Sequence, residues 1–199
     1  TKRFVIRKTL IGKNTIIKNF VEIRGTCIIG ENCIIESGTI IEDGCTIHDN
    51  VRIGPYCELK NNVILREGSI LQGKNRIADN CDIGKNTIVK YSSILTSNVL
   101  VKEMVFIGPS VIVTGDDKSR SAEKAGDPNT TVIGKSCFIG AGTKIKAGVK
   151  IGERIAIGAM SFVNRDILDE GTYVGIPAIM LKKSTSGLIL IDGIGVTDI

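Results

Sequence analysis

With 199 residues the chain is long enough for one domain with a substantial core. Yet aromatics make up only 4% of it and tryptophan is absent, which argues against a sandwich or α/β enzyme layered with large rings. The net charge of +5 is spread thin, with no basic run interleaved with aromatics, so nothing points to RNA or DNA. A mild positive field suits small phosphate-bearing molecules instead.

From Val5 onward, every sixth residue is aliphatic: Val5, Ile11, Ile17, Ile23 and so on to Val113. The series resumes as Ile133, Ile139, Ile145, Ile151, Ile157 and Val163, giving 25 aliphatics in 25 positions. A background of roughly 30% aliphatics cannot produce that by chance, so a six-residue repeat organises the chain. Four residues after each aliphatic comes a mostly small residue such as Thr15, Cys27, Cys33 or Thr39. Side chains alternate faces along a strand, so both positions point inward, one large and one small. Just before the small slot stand Asn or Gly residues: Asn14, Asn32, Gly38, Gly44, Asn50, Asn62, Gly68, Asn80, Asn86, Asn98, Gly142 and Gly148. These types accept the left-handed backbone that a sharp corner needs. One strand and one corner per hexad predicts an all-β parallel helix of about eight triangular coils, roughly 40 Å long at about 4.8 Å per coil.

Three features in the first half need placing. All six cysteines (27, 33, 45, 57, 81 and 137) fall in the small inward slot, which predicts free core thiols rather than disulfides or a metal site. Free thiols point to a reducing, cytoplasmic setting. Asn75 also occupies that slot and must find partners inside or force a bulge. His48, the only histidine, follows an inward Ile and should face outward. A metal centre needing three histidines is therefore beyond this chain.

The period breaks once, over residues 114–132, which are polar, charged and aperiodic. This reads as a loop thrown out from one corner, and long loops in repeat folds usually carry function. After the last hexads, 184–199 form a C-terminal tail behind a domain of 1–183. Its apolar stretch, Gly187 to Val196, contains Asp192 and is too short to cross a bilayer, so no membrane contact is expected.

The C-terminal motifs carry a resemblance. Ile139-Gly-Ala-Gly-Thr143, the Phe162-Val-Asn-Arg-Asp166 turn and the exit Tyr173-Val-Gly-Ile-Pro-Ala178 resemble the closing coils of hexapeptide-repeat acyltransferases. The resemblance implies a left-handed β-helix, acetyl-CoA as acyl donor, and a homotrimer whose subunit grooves hold the donor. It implies donor contacts from Ala141, Ala147 and Ala159, read as small outward positions, and from Asn164, Arg165, Lys182 and Lys183 at the nucleotide end. A narrower likeness, in Val105-Phe-Ile-Gly-Pro-Ser110, Thr114-Gly-Asp-Asp117 and Ser119-Arg-Ser121, is to the subgroup that N-acetylates amino sugars on nucleotide carriers. Ser119 departs from that subgroup's proline, and its polar Asn falls near Lys90 or Tyr91. These likenesses make Asp116 and Asp117 candidate catalytic residues, and Arg120, Tyr91 and Lys90 candidate acceptor contacts; no metal is implied. A hydroxyl acceptor normally needs a positioned base such as His, and the loop has none, which favours an amine. Three alternatives stay open: O-acetylation of a sugar or serine, a non-catalytic β-helical assembly module, and the detached C-terminal part of a nucleotidyltransferase.

Overall fold

A computed structural model describes residues 9–115 and 130–183. Twenty-six short strands, most of two residues, stack into three parallel sheets. Face A carries eight strands from Leu10–Ile11 to Lys150–Ile151, and face C eight from Glu22–Ile23 to Phe162–Val163. Face B starts at Ile16–Ile17 and carries ten, the last being Ile179–Lys183. Each strand pairs with the third one along, so residues 18 apart lie in register: Ile28 on Thr46, Thr46 on Ile64, Ile64 on Asp82, Asp82 on Leu100. Across the loop the step lengthens and Leu100 pairs with Val132. The result is the expected left-handed parallel β-helix of about eight turns. Among the described residues no helix is long and apolar enough to cross a membrane.

The inward aliphatics form the core and are fully buried from Ile29 upward. The lowest coil has nothing described beneath it, so Ile11 is 49% exposed and Ile17 and Ile23 are only partly covered. All twelve corner residues read from the sequence have positive φ. So do several that the sequence did not flag, including Phe20, Tyr56, Lys74, Met104 and Met160. There the coils on either side hold the corner, and side-chain type yields to the stack.

All six cysteines are buried and free. Most send their thiol hydrogen to a carbonyl of the next coil, as Cys45 Sγ does to Lys60 O at 3.0 Å. Asn75 finds its partners: Nδ2 donates to the carbonyls of Gln72 and Val89, and Oδ1 accepts from Ser93 N at 2.8 Å. A closing hairpin, Gly171–Val174 with Ile179–Lys183, adds the one antiparallel pair to face B.

Candidate functional site

The break in the period falls at the corner between faces C and A. Strand Ile112–Val113 ends face C, and strand Thr131–Ile133 resumes on face A, two residues before the hexad register alone suggested. Both ends of the loop are fastened to the corner above. Ala147 N donates to Thr114 Oγ1 at 3.2 Å, and Gly148 N to Thr131 Oγ1 at 2.8 Å. Thr96 Oγ1 from the coil below donates to Thr114 O at 3.1 Å. A hollow of about 260 Å3 under this base is lined by Arg76, Ile94, Thr96, Ser97 and Gly115 among others. Thr96 and Ser97 were not singled out in the sequence. Their position 18 residues before Thr114 and Gly115 was the signal, since it stacks them directly beneath the loop's exit. Asp116, Asp117 and Arg120 lie outside the described residues.

Apart from Lys182 and Lys183 on the closing hairpin of face B, the remaining candidates divide between the two edges of face C. On the corner between B and C, backbone bonds stack Tyr91, Pro109, Ala141 and Ala159 in one line: Ser110 N to Tyr91 O, Gly142 N to Pro109 O, and Met160 N to Ala141 O. Beside that line run Lys90, Gly108, Gly140 and Gly158. A Cβ on Gly140 would lie 2.4 Å from the backbone nitrogen of Ala159, so the coils close up only because this position is bare. The edge is therefore a channel of small residues climbing toward the closing hairpin. On the opposite corner, beside the loop base, lie Ala147, Asn164 and Arg165. Ala159, Asn164 and Arg165 are exposed and Ala141 is half-buried.

Ala147 departs from its expected outward placement. It is buried, because Thr114 and the loop base close over it. Lys90 is drawn toward face B, where its ammonium lies 5.6 Å from the Phe106 ring centroid. Phe106 in turn stacks on Phe138, with centroids 4.9 Å apart. Tyr91 is exposed, a full face-width from the loop. A single chain thus does not bring Lys90 or Tyr91 to the loop base. Lys183 is exposed on the hairpin, and Lys182 pairs with Thr172 there; its side chain lies outside the described residues. His48 is exposed on the corner between A and B, four coils below the strand on which the loop rejoins and across face A from it. Among the described residues no group of three or more His, Cys, Asp or Glu could hold a metal ion.

Face C of the last coils, with outward Ile112, Lys144 and Phe162, is thus a shelf. It is bounded by a small-residue channel on one side and the loop base, at Thr114 and Thr131, on the other. The family model of the bacterial transferase hexapeptide (six repeats) matches residues 8–43 and 130–165. The matched repeats lie on both sides of the loop base, in a stack whose six-residue period runs through the described coils. More particular likenesses come from individual proteins. A serine acetyltransferase of Buchnera aphidicola is 31% identical over 86 residues, covering 40% of this chain and 33% of that protein. The acetyltransferase domain of PglB from Neisseria gonorrhoeae superposes with a TM-score of 0.57 at 24% identity, over 66% of this chain and 57% of that one. A hexapeptide-repeat containing acetyltransferase from Vibrio cholerae gives 0.50 at 25% identity, over 60% and 72%. The chain thus spans about a third of the curated relative's length, and the gonococcal likeness is one of fold.

Proposed function

We propose that this protein is a cytoplasmic acetyl-CoA-dependent acyltransferase. It acts as a homotrimer and N-acetylates the amino group of a nucleotide-linked sugar. The observation that carries this reading is the shelf on face C, where a small-residue channel faces the corner at which the six-residue period breaks. A solitary prism is flat or convex there, and a deep cleft needs a second copy laid against it. The gonococcal PglB domain, which shares this fold, has been solved in complex with acetyl coenzyme A.

In this reading the pantetheine arm lies along Gly140-Ala141 and Gly158-Ala159, where the absence of bulk lets a thin chain reach the backbone. Arg165, Lys182 and Lys183 offer cations to the nucleotide phosphates. The acceptor ammonium gives its proton to Asp116 or Asp117, and its nitrogen attacks the thioester carbonyl. A corner N–H holds the oxyanion. Collapse breaks the C–S bond; the extra proton on the attacking nitrogen passes to the departing CoA thiolate, and the aspartic acid returns its own proton to solvent. Holding both substrates in line supplies most of the acceleration.

The test is a thermal-shift titration with acetyl-CoA, followed by turnover on a panel of nucleotide amino sugars. Saturating donor should raise the melting temperature, and one amino sugar should be acetylated on nitrogen. Asp117→Asn should lower kcat about a hundredfold or more if that carboxylate takes the proton. Unchanged turnover removes Asp117 from the mechanism, and no response to acetyl-CoA favours a non-catalytic assembly module.

The likeness to a serine acetyltransferase favours a second reading, transfer to a hydroxyl. That chemistry wants a base, and His48 would have to come from a neighbouring copy. Acetylation of free serine with loss of activity in His48→Gln would establish it.

A further inference from the structure

A second hollow, of about 520 Å3, opens on face A toward its corner with face B, the one corner that does not border the donor shelf. Its outward neighbours along face A are aliphatic: Ile64 below and Leu100 above. Between them stands Asp82, a carboxylate whose side chain is only 9% exposed. Arg66 grips it with a two-pronged contact, Nε to Oδ1 at 2.7 Å and Nη2 to Oδ2 at 2.6 Å. The guanidinium is thereby fixed in place, and neither prong uses its third nitrogen, Nη1.

The corner positions above Arg66 in the same stack are Gly84 and then Lys102. Gly84 is bare because a Cβ there would lie 2.3 Å from the carbonyl carbon of Lys102. No side chain therefore stands between the two cations at the Gly84 position. Lys85 is paired to Glu67 at 2.7 Å, and Glu103 to Lys135 at 3.1 Å. Among the described residues the Lys102 ammonium has no ion-pair or hydrogen-bond partner. The hollow thus offers one anchored guanidinium and one ammonium that lies in no ion pair, although its charge acts on the adjacent Glu103 carboxylate, two coils or about 10 Å apart along the axis. Side chains reaching in from both ends of that span can hold two linked phosphates along the axis.

We propose that this hollow is a diphosphate-binding site, formed by Arg66 and Lys102 across Gly84 and separate from the donor groove. Its use for the diphosphate of an acceptor rests on the acyl-transfer reading above, since the loop rejoins face A one coil higher at Thr131; the binding itself does not.

The experiment is calorimetric titration of the full chain with inorganic pyrophosphate, uridine 5′-diphosphate and coenzyme A. Pyrophosphate and uridine 5′-diphosphate should bind, and Lys102→Gln should weaken both about tenfold or more, while Lys102→Arg stays near wild type. The paired change Arg66→Gln with Asp82→Asn removes the guanidinium without stranding a buried charge, and should weaken both as well. Lys13→Gln, on the lowest coil, should change neither, and coenzyme A affinity should hold in every variant. Absence of pyrophosphate binding to the wild type would overturn the site. So would an equal loss in Lys13→Gln, which reports net charge alone, or a parallel loss of coenzyme A, which gives the cations to the donor. A protein that binds pyrophosphate but never transfers an acyl group would sink the catalytic reading and leave this site standing.

Discussion

A thiol inside this column has no water to stabilise a charge. Burial pushes Cys45 and Cys81 up to about 12, and Cys57 and Cys137 up to about 11. An unfolded thiol ionises near 9, so between that pH and 11 to 12 the unfolded chain sheds protons that the folded chain keeps. Stability is therefore intact below pH 9 and falls as pH rises, by up to about 1.4 kcal/mol per pH unit for each such thiol. Alkaline denaturation followed by circular dichroism should show a shallower decline once Cys45 and Cys81 are both changed to valine, the residue that fills the same stack at Val63. At neutral pH the native protein should resist iodoacetamide at all six cysteines and react fully in denaturant. The left-handed corners offer a second residue-level handle. Met104 holds φ near 58° with an exposed side chain, a conformation costing a non-glycine residue about 1–2 kcal/mol. Met104→Asn should raise stability by about 1 kcal/mol, read from urea midpoints.

At the scale of one strand and corner, each hexad contributes an aliphatic knob and a small spacer, and every layer is closed above and below. Ile107 is wholly buried, and Ile107→Ala should cost about 2–5 kcal/mol, since stacked backbones cannot collapse into the space. The spacer slot of Ser69 lies between Val51 and Thr87, and its hydroxyl is buried without a partner. Ser69→Val should stabilise by about 1 kcal/mol, because an unpaired buried hydroxyl is a net cost. The strands, the inward slots and twelve of the corners were legible because their signal repeats every six residues and errors average out. Corners such as Phe20, Tyr56 and Arg154 were not, because neighbouring coils override their own preference. The candidate site was legible mainly where it interrupts the period. Which corner a residue occupies depends on its place in an 18-residue turn, so the separation of Ala141 and Ala159 from Ala147 showed only in three dimensions. The burial of Ala147 was hidden for a related reason: it depends on a threonine 33 residues earlier.

For the whole molecule, the three faces differ in character. The lower part of face C is an ionic lattice in which Arg24, Glu42, Lys60, Glu58 and Arg76 form a chain of contacts. Face B instead turns Ile70, Ile88, Phe106 and Phe138 outward. Since every turn takes 18 residues, chain length acts on this architecture like a dial with three stops. Excising residues 28–45 should remove one storey and leave all later side chains pointing as before. Excising only 34–39 should swing everything above it by a third of a revolution, carrying the break after Gly115 to a different edge. Evolution can thus lengthen or shorten the tower in whole storeys without redesigning its upper rooms, whereas a lone six-residue change reassigns which wall each room looks out from.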